Sequence, residues 1–501
     1  MKYTELSSVT YLLTFDVGVA PGDPTTPGYP SKPGVPRGPA NISTPTIPSL
    51  PISYAEALPL LQALNGHGPN ASSFSERWHG GGLGYKNVSY NIGPSPASTT
   101  IHMMNKQEYT ITPMWNVIGV INGTISDEVL VIGNHRDAWI AGGAADPNSG
   151  SAAMNEVIRS ISVALSRGWK PQRTIVFASW DGEEYGLVGS TEWVEEYLPW
   201  LAHSAVAYIN VDVGAVDTEL KVAAAPLLDS ALIATTKAVQ SPNQTTTGSS
   251  VYDHWNKRIS TMGSGSDFTA FQDYAGIPSI DLGFNGRNSG PVYHYHSNYD
   301  SQAWMDRYGD ATFGYHVAIA KILSLLLVEL VEAPLIPFNA TNYALALSRY
   351  LDSVHNTTAL SSTTAPLSPS AMDGALAGLR AALDRLHTAA VALDDRAAHL
   401  GLLARSQPPR TPSAVAKLFA QVRDVNARYK RLERAFLFQK GLDGRPWFKH
   451  VVFAPGLWTG YAGATWPGLV EAAQAGDRAG FERWAGICEG AVFAAVGVLE
   501  G

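Results

Sequence analysis

Residues 173–193 read RTIVFASWDGEEYGLVGSTEW. The first eight residues are apolar and β-branched enough to form a strand buried on both faces. Asp181 and Gly182 interrupt that run, and a helical stretch follows over 187–203. The segment is therefore a strand, a short acidic loop and a helix, with Glu183 and Glu184 just past the strand's carboxyl end. Similar apolar runs occur at 115–122 (WNVIGVIN), 128–134 (EVLVIGN), 205–212 (AVAYINVD) and 277–284 (IPSIDLGF), and another helical stretch covers 149–167. This alternation predicts an α/β domain from about 108 to 330, with a mixed, largely parallel sheet flanked by helices.

The rest of the chain differs in composition. Residues 20–52 are rich in Pro, Gly, Ser and Thr and read as an ordered loop or linker; 54–66 reads as a short amphipathic helix closed by a glycine; 80–100 is Gly-rich and irregular. After about 335 the strand signals vanish. Ala/Leu-rich helical periods cover 341–358, 370–404 and 412–436, and a last helix is expected over 466–500. The expected division is 1–52, 53–334 and 335–501, the last being an all-α helical bundle.

The 501 residues are 45% apolar and 16% charged, with a net charge of −8. That composition supports a real core, and no basic run is present to neutralise phosphates, which excludes a nucleic-acid partner. The single cysteine, Cys488, can form neither an intrachain disulfide nor a thiolate metal site and reads as a small buried residue. Asn-X-Ser/Thr sequons at Asn41, Asn70, Asn87, Asn122, Asn243, Asn339 and Asn356 lean toward the secretory route. Residues 11–20 are apolar, but Asp16 interrupts them and no basic segment precedes them, so no clear signal is expected. No run is expected to reach the length needed to span a bilayer.

The acidic and imidazole residues gather where strands end. His135 closes EVLVIGN, Asp212 closes AVAYINVD, and Glu183 and Glu184 follow RTIVFASW. Asp146 lies in GGAADPNSG ahead of a helix, and His296 lies in the loop YHYHSNYD. Open α/β sheets bind ligands at the carboxyl ends of their strands, so these side chains can converge. Two His and three acids make one imidazole and one carboxylate per ion plus a bridge, the donor set of a two-zinc catalytic site. The adjacent glutamates suit a division between ligand and base, and Asp137 is placed to orient the His135 ring. Singly these signals are weak: a strand-end His is more often structural, as His203 and His294 are read here, and acids before a helix often only complement its dipole.

Residues 115–330 resemble the peptidase domain of the glutamate carboxypeptidase and transferrin-receptor branch of two-zinc exopeptidases, through GNHRDAW, DPNSG, TIVFASWDGEEYGLVGSTEW, YINVD, GSGSDF and YHSNYD. Residues from about 335 to 501 resemble that family's dimerisation domain, through LERAF and the YAG…PG block. The resemblance implies the zinc exopeptidase fold, a peptide substrate and a homodimer through the carboxy-terminal helices. It implies that His135 and Asp212 hold one zinc and Glu184 and His296 the other, with Asp146 bridging. Glu183 falls at the position of the base that deprotonates a bridging hydroxide's water, and Tyr295 at that of the oxyanion-stabilising tyrosine. A substrate pocket would include Gly265, Ser266, Asp267, Asp281 and Tyr461. A structural calcium would engage Thr26, Tyr29, Glu192 and Glu195, the alternative being that the two glutamates form a solvated helix face.

Three departures qualify the resemblance. The family usually carries a membrane anchor and most of a protease-associated domain ahead of the point where this chain starts, and residues 10–50 resemble only that domain's tail; relatives are secretory, vacuolar or membrane-associated. Where glutamate-specific members have a Lys before the tyrosine matching Tyr461, this sequence has Gly460, and the strand IPSIDLGF carries Asp281 and no Arg. Neutral or basic peptides, and aminopeptidase action, are therefore favoured over glutamate release. The other readings are a non-catalytic receptor-like protein and a shortened, inactive peptidase.

Overall fold

The computed structural model describes residues 20–40, 47, 49–74, 78–106, 108, 110–242, 244, 246–286, 291–358, 367–406, 411–457 and 460–501. The sequons Asn41 and Asn243, the side chain of Asn356 and the apolar stretch 11–19 lie outside what it describes. Its described residues form two compact units, one of Pro39–Pro113 and one of residues 20–38 with Met114–Gly501. The segments on either side of residue 335 thus share one unit.

The smaller unit is largely irregular. Its helix α1 (Tyr54–Gln62) starts with a capping box: the Glu56 amide donates to Ser53 Oγ at 3.2 Å and the Ser53 amide to Glu56 Oε2 at 2.9 Å. The helix stops at Gln62 rather than continuing to Gly66.

The larger unit is built on seven strands: β1 (Val117–Ile121), β2 (Ile125–His135), β3 (Arg173–Trp180), β4 (Ala205–Asn210), β5 (Leu220–Ala224), β6 (Ile259–Ser260) and β7 (Ser279–Phe284), in the order β1-β3-β2-β4-β7-β5-β6. The central four, β3-β2-β4-β7, are mutually parallel; β1 runs antiparallel to β3, and β5 antiparallel to β7. The sheet is mixed and largely parallel, as the sequence predicts, with β5 and β6 additional to the expected strands. Val129–Ile132, Ile175–Ala178 and Ala205–Ile209 are buried, which explains why these strands read as continuous apolar runs. The helices α2 (Asn148–Ser166), α3 (Val188–Ser204), α4 (Asp229–Ala238) and α5 (Gly314–Glu332) pack about it.

Helix α5 has the length and apolarity of a membrane span, which corrects the expectation that no run reaches that length. Ile319, Ile322, Leu323, Leu326, Leu327 and Leu330 are fully buried, so it serves here as a core helix. At its end Arg173, itself buried, donates to Glu128 Oε2 at 2.7 Å and to the carbonyls of Leu330 and Ala333 at 2.9 and 2.6 Å. One guanidinium thus ties β2 and β3 to the exit of α5.

The carboxy-terminal part consists of α6 (Ala340–Thr358), α7 (Pro369–Ser406), α8 (Pro412–Leu432), α9 (Pro467–Ala475) and α10 (Arg478–Glu500). Two expectations need correction. Strands do not vanish here: β8 (Phe453–Pro455) and β9 (Gly463–Thr465) form an antiparallel pair. The last helix is two helices, because Gly476 adopts φ +70° as a left-handed cap and Asp477 Oδ1 accepts the Gly480 amide at 3.0 Å to start α10. Cys488 is buried in α10, as read from the sequence.

Replacing Arg173 by Met would leave the buried Glu128 carboxylate unpaired. Urea unfolding should show a loss of about 3–5 kcal/mol, the scale for breaking one partner of a buried pair. A loss below 1 kcal/mol would mean that the pair is not what fastens α5 to the sheet.

Candidate metal centre

The parallel strands β2, β3 and β4 end side by side, and the residues at and just beyond those ends meet. His135 is the last residue of β2, Glu183 and Glu184 lie in the loop between β3 and α3, and Asp212 follows β4. Asp146 enters from the turn before α2. His296 enters from the loop after β7 with its backbone at φ +52°, a strained conformation for a side-chain-bearing residue.

His135 Nε2 stands 2.9 Å from Asp212 Oδ1 and 3.2 Å from Asp146 Oδ1. His296 Nε2 stands 3.3 Å from Asp146 Oδ2 and 3.1 Å from Glu184 Oε2. The two oxygens of Asp146 therefore address different imidazoles, each of which has a further carboxylate. Glu183 lies with His135 and Asp212, and its ligand-type atoms fall within 4.8 Å of theirs. His135 and Glu183 are buried. Among the described residues no Lys or Arg bonds to any of the five residues His135, Asp146, Glu184, Asp212 and His296.

The donor chemistry suits a cation. His135 Nδ1 meets the Asp137 carbonyl at 3.0 Å. A carbonyl can only accept, so Nδ1 donates to it, which leaves Nε2 as the ring atom that would bind a metal. Burial opposes charge on His135, yet Asp212 and Glu183 hold its pKa well above the usual imidazole range. Burial drives Glu183 well above the carboxylate range. Burial also opposes ionisation of Asp146, but hydrogen bonds from His135 and His296 hold its carboxyl below that range. A dense set of oxygen and imidazole donors without thiolate is what zinc takes in catalytic sites.

Asp137 ties the cluster together. Besides its carbonyl contact to the His135 ring, its carboxylate accepts the Glu183 amide at 3.0 Å and the Glu184 amide at 3.2 Å. Asp300, which the sequence reading did not single out although it ends YHSNYD, does the same for the Asp146 turn: it accepts the Ala145 amide at 2.8 Å, the Asp146 amide at 3.0 Å and the Tyr293 hydroxyl at 3.1 Å. Gly150, in the first turn of α2, lets the Asp212 segment approach; a Cβ there would lie 2.1 Å from the Asp212 carbonyl oxygen.

The pocket residues divide. The Tyr295 hydroxyl lies 3.2 Å from that of Tyr461, and the Tyr461 ring covers Gly265, where φ is +97° and a Cβ would collide with the ring at 2.3 Å. Ser266 and Asp281 instead face Asn210, whose Nδ2 donates to both at 2.9 Å. Asp281 sits within β7 and caps no loop; burial, then the Asp212 charge, push it up to about 7. Asp267 is wholly buried, and burial pushes it up to about 7.

Away from this centre, the segment 20–38 lies against α3. Glu192 Oε1 accepts the Asp23 amide at 2.7 Å, and Glu195 Oε1 accepts the Gly28 amide at 2.9 Å and the Trp447 indole at 2.8 Å. Thr26 Oγ1 and Glu195 Oε2 are buried without hydrogen-bond partners. The Tyr29 hydroxyl donates to the Pro36 carbonyl at 2.7 Å.

Residues 116–318 match peptidase family M28 and residues 375–500 match the transferrin receptor-like dimerisation domain. It is 43% identical to a probable glutamate carboxypeptidase of Arthroderma benhamiae over 96% of this chain and 63% of that protein. It is 33% identical to aminopeptidase NAALADL1 of Rattus norvegicus over 96% of this chain and 64% of that protein. The chain thus spans under two thirds of the length of these relatives. Among solved structures, the LapA aminopeptidase of Legionella pneumophila is similar over 43% of this chain and 55% of its own, at 23% identity and TM-score 0.34.

Asp300→Ala should release the two amides that set the Asp146 turn and weaken zinc retention about 10–100-fold, the usual effect of losing a group that orients a ligand. Chelator competition measures this. Unchanged retention would assign Asp300 to the loop alone.

Proposed function

We propose that the chain is a zinc-dependent exopeptidase hydrolysing peptide bonds. The observation that carries this is Asp146, one oxygen toward each imidazole, with Asp212 completing one donor group and Glu184 the other. His135, Asp146 and Asp212 would hold one ion and His296, Asp146 and Glu184 a second. Zinc at such a centre supplies an acidified water and polarises the scissile carbonyl. Glu183, raised by burial, takes the proton from the attacking water and returns it to the leaving amine. The Tyr295 hydroxyl, beside that of Tyr461, donates to the oxygen on which negative charge develops.

Neutral or basic substrates fit this reading better than glutamate. A glutamate-selective pocket must pair two carboxylates, because leaving one desolvated and unpaired is costly. The positions that would do so are Gly460 and a strand reading SIDLGF. Asp281 adds less attraction for a cation than its charge suggests, since Asn210 occupies its Oδ1. The relatives' names divide between carboxypeptidase and aminopeptidase, and the latter agrees with the pocket. A structural calcium between residues 20–38 and α3 is supported by the unpartnered oxygens of Thr26 and Glu195, and by burial that pushes Glu192 up to about 7 and Glu195 to about 8.

Glu183→Gln keeps the side chain's size and removes its basicity. Peptide turnover should fall ~10²–10⁴-fold while elemental analysis of wild type and variant still gives about two zinc ions per chain. Loss of metal from the variant would exchange the roles of Glu183 and Glu184, and one ion or none in folded wild type would overturn the two-metal reading.

The dimerisation domain supports a homodimer, the commonest closed assembly. Light scattering at micromolar concentration should give twice the chain mass; a stable folded monomer would count against it.

A further inference from the structure

Two large aromatic side chains stand in solvent beside the centre, and neither the metal donors nor the proposed base uses them. Trp139 follows Asp137 by two residues and is 37% exposed; Tyr185 follows Glu184 directly and is 72% exposed. Their ring centroids are 5.3 Å apart at an interplanar angle of 44°, and Trp139 lies 6.3 Å from the His296 ring. His296 in turn stacks on Tyr295 at 3.6 Å and 20°. A row of rings, Tyr185–Trp139–His296–Tyr295, therefore runs from the surface to the hydroxyl assigned to the oxyanion.

Both outer rings are carried on backbone that the centre holds rigid. Asp137 fixes the amides of Glu183 and Glu184, so Tyr185 leaves a clamped loop, and Trp139 leaves the segment that supplies the clamp. Rigid aromatic surface beside a cleft buries a large apolar area at small entropic cost when a side chain covers it. The nearest acids are engaged: Glu184 with His296, and Asp137 with the two amides. The rings therefore offer apolar and π surface without a free carboxylate to pair a cation.

Resting on the peptidase reading above, the geometry points to Trp139 and Tyr185 as specificity-determining residues that seat an aromatic or bulky apolar side chain next to the scissile bond. A peptide with its carbonyl at Tyr295 and Glu183 lays the neighbouring side chain along this row. The pair lies on the Glu184–His296 side, so the preference belongs to one side of the scissile bond.

The test uses zinc-loaded full chain and dipeptides X-Ala and Ala-X, with X as Phe, Leu, Arg, Glu or Ala. Wild type should show a higher kcat/KM for Phe than for Ala at one of the two positions. Trp139→Ala and Tyr185→Ala should each lower that Phe/Ala ratio about 2–10-fold, the range for losing one aromatic contact. Tyr185→Phe, which keeps the ring, should preserve it. No hydrolysis of any dipeptide by zinc-loaded wild type would remove the peptidase reading itself. Hydrolysis with a Phe/Ala ratio untouched by either alanine variant would overturn this inference alone, as would a preference for Arg over Phe that Trp139→Ala abolishes.

Discussion

Mutual repulsion of carboxylates is the constraint around which this molecule is arranged. Asp146, Glu183, Glu184 and Asp212 are drawn to the ends of three parallel strands with only two imidazoles between them. Left to itself, such a group would separate or take up protons. The fold resists separation by fixing backbone rather than side chains. Asp137 accepts two amides of one loop and Asp300 two amides of another, so each acid-bearing turn is set by an acid that is not itself a proposed ligand. The buried, parallel sheet beneath gives those turns a rigid base.

Much of this was legible because buried parallel strands announce themselves as unbroken apolar runs and their ends are polar. VLVIGNH, TIVFASWDGEE and YINVD each show the transition within a few residues, and the structure brings the side chains just past them together. Asp146 and His296 leave weaker signals, because each reaches the cluster from a loop; the joint donor set and family resemblance, not periodicity, brought them in. Asp300 stood in a motif already quoted, yet its partners, the amides of Ala145 and Asp146, lie 155 and 154 residues away in sequence, and no local pattern encodes such a pairing.

The errors also have physical causes. Strand β6 has two residues and β8 and β9 three each, too short for alternation to register. In 466–500 the alanines on both sides of Gly476 extend the helical period across a real break, which the cap geometry of Gly476 and Asp477 creates. Helix α5 buries one apolar face in the core and also carries Val317, Leu325 and Val328 in solvent, so its composition is one a membrane helix shares. Asp281, expected in the substrate pocket, also bonds within the sheet to Asn210, because parallel pairing sets those two residues in register.

Tyr461 touches Tyr295 across 166 residues of sequence, and its ring closes over Gly265. The strands of the seven-stranded sheet are all in place once Phe284 has been made, so a chain emerging from the ribosome can assemble them while Tyr461 is still untranslated. During that interval the wall beside Tyr295 is missing. Synthesis order therefore acts as a clock: the centre reaches its full shape only when the segment carrying Tyr461, made well after the sheet, folds back against Tyr295.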